Sequence, residues 1–420
     1  MSQLKVNALV SYSGNTVTLG TSGDTINVAS NVTFNTASGT LTLPTTIKVD
    51  TIQNTNSSTL ITQTNSTTIT VGVSGQTVAL PSQSISYAAI SNAVNFRNRI
   101  INGDMQIDQR NNGGTVTASG TFPVDRFKQE FTGDGVLTSK RSTDAPAGFK
   151  NSIELKVTTI DASIGSTDFY QILQYIEGFN IADIGLGQSW CKPMSLSFYV
   201  KASQTGTYSV HLANSNGSRC YPTTITVNSA NTWEYKTISI PATTSGTFTT
   251  DNSVGLTIRI GFAYGSNFDG ATPNTWGTFT SFGDSFVAPT TNMMATLDAT
   301  FYFTGVQLEA GEQASGFEFL PIDVNLGRCL RYYWEDSLYG IDATGTNGTS
   351  LASQKLHPVI MRATPTITQN GSVITSANTA ATTFSIDTGT SSSLKTNFFI
   401  AVTPSTTRTY LYRPIQASAE

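Results

Sequence analysis

Two sets of carboxylates invite a hydrolytic reading: Asp104 with Asp108, and Glu309 with Glu312 and Glu318. A pair of acids flanking a glycosidic bond supplies the general acid and the base or nucleophile of glycoside hydrolysis. On a strand, Asp104 and Asp108 share a face but stand about 13 Å apart, too far for either standard geometry unless the turn at Gly103 bends the chain. Turn capping, salt bridges or interface contacts are the simpler roles for these acids. Glu177 of "YIEGF" and the Asp125–Arg126 dipeptide read in the same way, as a buried or half-buried pairing set.

Other chemistries find less support. The two histidines, His211 and His357, fall in different expected domains, and no serine sits in a G-x-S-x-G turn. His211 alternates with apolar neighbours and reads as a sheet-face residue. Ligand spacings for a His/Cys zinc site are missing. "TGDG" at 132–135 offers Asp134 to calcium, against a plain hairpin turn. Cys191, Cys220 and Cys329 are too few and too scattered for a disulfide framework and read as buried free thiols. The expectation is a non-enzymatic protein with no catalytic residues, metal or cofactor.

Sugar binding asks for a different residue set. Pyranose rings present apolar CH faces on which flat aromatic side chains stack, while nearby amides and hydroxyls fix the sugar's own hydroxyls. Tyr221, Trp233, Tyr264, Phe268 and Trp276 are candidates, several beside "YGSNFDGATPNTWG". Trp276 and Tyr264 are preferred because Gly-rich polar residues surround them; Trp233, in "NTWEYKTISIP", reads as structural. Aromatic residues of a sandwich also fill its core.

The elements that would carry these residues come in two styles. At 420 residues the chain is long enough for two or three domains, with 12% charged residues and a net charge of -4 that gives nucleic acid no basic surface. No stretch approaches a membrane span or a signal peptide, so a cytoplasmically made, soluble protein without membrane insertion is expected. Residues 1–95 hold only four charged side chains, Lys5, Asp24, Lys48 and Asp50. Apolar pairs recur there: Val17/Leu19, Ile26/Val28, Val32/Phe34, Leu41/Leu43 and Ile47/Val49, starting 9, 6, 9 and 6 residues apart. Each triplet puts two side chains on one face of a short strand. So few apolar groups cannot offset roughly 1–2 kcal/mol of backbone entropy per residue within one chain. Either this is a low-complexity arm, or identical chains pool their stripes in a trimeric β-prism or β-helix-like stem. The regular spacing favours the trimer. Residues 84–96 suggest a short connecting helix.

From 96 to 325 about ten alternating segments, without convincing helices, indicate a jelly-roll β-sandwich. "PIDVNLGRCLRYYWEDS" is the one helical candidate, with Ile322, Leu326, Cys329, Leu330 and Tyr333 on one face and Asp323 as cap. Residues 326–420 read as a β-rich tip. Arg97, Arg99 and Arg110 can pair with Asp104, Asp108 or Asp125 where the stem docks on the body.

"NRIINGDMQIDQR", "FPVDRF", "YQILQYIEGFNIADIGLGQSWCKPMSLSFYVKAS" and "FYFTGVQLEAGEQASGFEFLPIDVNLGRCLRYY" follow one another along the chain. In that order they resemble a module of virion structural proteins and tail fibres of tailed bacteriophages. "LHPVIMRATPTIT" is similar to a motif that follows this module, and "GTLTLP" and "TIKVDTIQN" are similar to proteins of phages of marine cyanobacteria. The blocks span roughly residues 98–368. The resemblance implies a homotrimeric fibre located in the virion and assembled in the host cytoplasm. It would be anchored to other virion proteins through residues 1–95 and bind a host-surface glycan, by that analogy at the β-rich tip of residues 326–420 as an alternative to the middle domain. A head fibre or decoration protein without a receptor role, and a polysaccharide depolymerase, are the alternatives.

Overall fold

Alternation of apolar and polar residues builds antiparallel sheets in the computed structural model, which describes residues 96–280, 283, 285–289, 291–339, 350–369, 374–376, 381–387, 391–402 and 410–420. The chain separates into two units, Met1–Leu80 and Pro81–Glu420, and the described residues belong to the second. The strand pairs and threefold packing expected of residues 1–95, and all but Phe96 of the 84–96 segment, lie outside the described residues.

The strands of the body are β1 (Lys128–Phe131), β2 (Val136–Ser142), β3 (Ser152–Thr159), β4 (Phe169–Glu177), β5 (Met194–Ala202), β6 (Gly206–Ala213), β7 (Arg219–Val227), β8 (Glu234–Ile240), β9 (Val254–Tyr264), β10 (Gly277–Thr278) and β11 (Thr300–Ala310). One sheet runs β1-β4-β9-β6-β7-β10 and the other β2-β3-β11-β5-β8. Between them lies one apolar core. Ile153, Leu155 and Val157 of β3 enter it at period two while Glu154 and Lys156 face away. Phe301 joins the sheets, with its ring 4.9 Å from Tyr208 and 5.2 Å from Phe262. The body is thus an all-β, two-sheet sandwich.

Turn chemistry at "TGDG" is present, but not as a hairpin. β1 pairs with β4 and β2 with β3, so this turn carries the chain from one sheet to the other.

β8 is an edge strand, and edges invite pairing with other chains. Glu234 and Lys236 lie opposite Val200 and Phe198, on the core-facing side of the strand, and pair with each other. Inward-pointing charges of this kind block addition of another strand. The Glu234 carboxylate also accepts from the Asn228 and Ser229 amides at 2.8 and 2.7 Å. Burial opposes its ionisation, yet the bonds from Lys236, Ser229 and Asn228 prevail and hold its pKa at about 2, against an ordinary 4.5. A depressed carboxylate contributes stability that is complete above its unfolded pKa and disappears as pH falls through the folded one. Stability of the sandwich should therefore decline between pH about 4.5 and about 2. Glu234→Gln should flatten that limb in urea titrations run across the window.

After β11 comes the helix α1 (Ile322–Leu330), followed by β12 (Tyr333–Tyr339), β13 (Ser350–Leu356), β14 (Thr366–Gln369), β15 (Ile374–Ser376), β16 (Ala381–Asp387), β17 (Lys395–Val402) and β18 (Tyr410–Ser418). Here β12-β18-β14, with β15 also on β18, forms one sheet and β13-β17-β16 another. The sequence boundary at 325/326 falls inside α1. Pro321 occupies the N-cap position without a side-chain cap bond, and Asp323 lies in the first turn instead of capping. Tyr333 opens β12 and does not extend the helix, in keeping with the strand preference of the Tyr-Tyr-Trp run. A small core gathers Trp334, Met361, Ile415 and Ala417.

Candidate functional site

The aromatic residues chosen from sequence pack inward or beneath a loop. Trp276 and Tyr264 are 8% exposed and Tyr221 2%. Tyr221 lies 5.4 Å from the Trp276 ring, and the Trp276 indole N–H donates to the Pro241 carbonyl at 2.7 Å. Tyr264 lies on the outer side of the six-stranded sheet, where its hydroxyl donates to Gln171 Oε1 at 3.0 Å. Phe286 stacks on His211 at 4.0 Å and on Tyr264 at 4.5 Å, while half-buried Phe268 sits edge-on to Phe169. The loop after β9 thus covers this face. Trp276, Tyr264 and Tyr221 have almost no surface left for a sugar. His211 is a buried sheet-face residue, its pKa driven well below the ordinary value by burial and by the Arg259 charge.

The charges assigned to a stem joint are likewise spent inside Pro81–Glu420. Arg97 pairs with Glu309 at 3.4 Å and Arg99 with Asp183 at 2.7 Å. Arg110 lies 3.5 Å from Asp125, as expected, but also pairs with Glu420 and rests 3.6 Å over the Tyr333 ring. Asp104 accepts from Asn325 at 3.1 Å, and Asp108 closes a turn by accepting from the Asn111 and Gly113 amides at 3.0 and 2.6 Å. These contacts fasten the entry segment to β11, to α1 and to the carboxyl-terminal strands. The expected pairing set of Glu177, Asp125 and Arg126 is buried and paired. Burial pushes the Asp125 pKa up, against the pull of Arg110. Cys191, Cys220 and Cys329 are free thiols, Cys191 only partly buried.

An aromatic surface sits elsewhere, on the outer face of the five-stranded sheet. Strand periodicity turns Tyr199 and Lys201 of β5, Tyr235 of β8 and Tyr302 of β11 away from the core. Tyr199 and Tyr235 are cross-strand partners with ring centroids 4.9 Å apart. Phe149 extends the row 5.4 Å beyond Tyr199, and Phe319 adds a further ring 5.1 Å from Phe149. At the other end Lys201 Nζ lies 4.6 Å over Tyr302 and 5.5 Å from Trp233. Asp144 pairs with Lys201 and accepts from the Trp233 indole at 3.2 Å. The bond from Lys201 lowers the Asp144 pKa and so favours its carboxylate form.

Gly305 makes the row continuous. It has φ +65° at an irregularity of β11, and a Cβ there would come within 2.7 Å of the Phe149 ring. Only glycine lets that ring lie flat on the strand. Tyr235 is 46% exposed and Phe319 53%, and Thr237 and Ser239 continue the outer side of β8 as exposed hydroxyls. No outward position of β5, β8 or β11 before the Gly305 irregularity carries an aliphatic side chain.

Four of the five candidate acids, Asp104, Asp108, Glu309 and Glu318, make structural contacts, whereas Glu312 is exposed. Glu309 accepts from Ser315 and Gln307, and Glu318 from the Phe96 and Asn98 amides. Among the described residues no group of three or more His, Cys, Asp or Glu is placed to hold a metal, and no helix is long and apolar enough to cross a membrane.

No family model matches the chain, and neither does any curated protein. Among solved structures, the enzymatically active domain of bacteriophage CBA120 tailspike protein 4 aligns at TM-score 0.28 and 13% identity. That alignment covers 51% of this chain and 22% of the tailspike. The family 11 carbohydrate-binding module of Clostridium thermocellum, in complex with a β-1,3-1,4-mixed-linked tetrasaccharide, aligns at TM-score 0.25 and 14% identity, covering 48% of this chain and 98% of the module. TmCBM61 in complex with β-1,4-galactotriose gives 0.26 and 8%, covering 51% and 99%. Likeness at this level licenses no transfer of activity.

Proposed function

We propose that the chain is a fibre protein of a tailed-bacteriophage virion, of the kind found in phages of marine cyanobacteria, that holds a host-surface glycan on a jelly-roll body without cleaving it. The observation that carries the glycan part is the open aromatic row of the five-stranded sheet. Rings there alternate with hydroxyls and one Lys–Asp pair, a surface that suits an amphipathic ligand such as a sugar chain. The ordered sequence blocks between residues 98 and 368 support the virion assignment. In this reading three chains unite through residues 1–95, that region anchors to other virion proteins, and three weak sugar sites act together.

Purified protein should retain host envelope polysaccharide, or members of a panel of xylohexaose, β-1,4-galactotriose and mixed-linked β-glucan oligosaccharide, and release no shortened oligosaccharide on long incubation. Release would favour a depolymerase. Absence of any retention, with phage adsorption untouched by antibodies to this chain, would favour a decoration protein.

A further inference from the structure

We infer that the cleft beside Trp190 is a separate binding site for one neutral sugar unit, an inference that rests on the glycan reading above but uses none of the residues of the aromatic row. The cleft lies between the turn leading into β5 and the segment before β9. Its apolar wall is Ile181, Leu186 and Phe248, its polar rim Gln188, Thr249 and Thr250, and Trp190 stands at the edge with 56% of its surface exposed.

The turn is built to hold that ring out. Gly185 has φ +72°, and a Cβ on it would sit 2.3 Å from Cζ3 of Trp190, so the indole lies directly on the glycine. The Gln188 amide donates to the Gly185 carbonyl at 2.9 Å and Lys192 to Ile184 at 2.8 Å, while Gly187 is tied to the Thr243 carbonyl at 2.9 Å. Behind the wall, Phe248 meets buried Trp276 edge-on at 6.1 Å, which fixes the floor. An exposed tryptophan on a braced turn gives a ligand an aromatic surface at little cost in side-chain entropy.

Size and charge select the occupant. The cavity measures about 170 Å³, below the roughly 300–1,000 Å³ of drug-sized pockets, so it suits a single ring and not a chain segment. None of the lining residues is charged. The nearby Asp183 turns to Arg99 instead. A carboxylated or phosphorylated sugar would lose hydration there without gaining a counter-charge. A neutral pyranose places its CH face on the indole and its hydroxyls on Gln188 and Thr250.

The chain has four tryptophans, so 5-fluorotryptophan labelling of the full-length protein gives a ¹⁹F spectrum of four signals. The Trp190 signal is identified by Trp190→Phe and the Trp233 signal by Trp233→Phe. Titration with the methyl glycosides of glucose, galactose and mannose should shift the Trp190 signal for at least one of them, with glucuronic acid and N-acetylneuraminic acid at least tenfold weaker. Trp190→Ala should reduce that glycoside's affinity at least tenfold, and Trp190→Phe should retain most of it. A Trp233 signal that moves while Trp190 stays still would overturn this site and leave the aromatic row standing. Equal response to the acidic sugars would overturn the neutral assignment. Failure of the whole chain to retain any glycan would instead remove the underlying functional reading.

Discussion

Replacing Glu177 by alanine is expected to cost about 3 kcal/mol of stability, the lower end of the range for breaking a buried pair. Glu177 ends β4 and is almost fully buried. Arg331 grips both of its oxygens in a forked pair, with Nε to Oε2 at 2.9 Å, and the Tyr332 hydroxyl donates to Oε2 at 2.7 Å. The bond to Glu177 is the first cause of the raised Arg331 pKa. Arg331 also donates to the Ile360 carbonyl at 3.1 Å, so one side chain ties the sandwich to the segment after β13. Removing the carboxylate strands the hydroxyl of buried Tyr332, whose ring lies 3.5 Å beneath the Arg126 guanidinium. The Arg331 head retains partial access to water, which places the cost at the low end. Glu177→Gln keeps one acceptor and should lose about half as much. The urea midpoint at constant m measures both. A loss below about 1 kcal/mol for Glu177→Ala would mean that the pair does not fasten the carboxyl-terminal strands.

This knot also shows how far sequence can be read. Glu177, Asp125 and Arg126 announce themselves as a pairing set because charges are scarce and these sit among apolar residues. Their partners Arg331 and Glu420 are 154 and 294 residues away, and no local pattern links them. Strands are legible for the opposite reason, since period-two burial is local: "SIELKVTTI" becomes β3 with its three aliphatics inward. The turn at 132–135 is legible as a turn, but which sheets it joins depends on pairing with β4 and β3 far along the chain.

Polar, Gly-rich neighbours made Trp276 and Tyr264 look exposed, yet the chain folds back and Phe286 closes over Tyr264. The same criterion applied to "GLGQSW" would have found Trp190. Outward orientation of Tyr199 and Tyr235 follows from the alternation of "MSLSFYVKAS" and "WEYKTISIP". Their openness does not, because the six-stranded sheet has an equally outward His211 that a loop covers. Alternation fixes the side of a sheet; tertiary cover decides whether that side meets water.

The aromatic row yields the second large effect. Tyr199→Ala combined with Tyr235→Ala should weaken binding of a single oligosaccharide about 100-fold. Each ring that covers a sugar face removes apolar surface from water at roughly 25 cal/mol per Å², on the order of 1–1.5 kcal/mol per ring. Two rings then approach the 2.7 kcal/mol that separates affinities by that factor. Both tyrosines lie on the outer face, 4.9 Å from each other, and Tyr199 also meets Phe149 at 5.4 Å, so the unfolding free energy should fall by no more than about 3 kcal/mol, the worth of two aromatic pairs. Calorimetry with a single monovalent oligosaccharide that the full-length chain retains keeps multivalency from concealing the loss. Asp144→Asn is the complementary probe: it removes the charge facing Lys201 while leaving an acceptor for the Trp233 indole. A sugar held by ring stacking should tolerate that change within a few-fold. Unchanged affinity in the double tyrosine variant, beside a large loss in Asp144→Asn, would show that the Lys–Asp rim holds the ligand, and the stacking account of this face would fall.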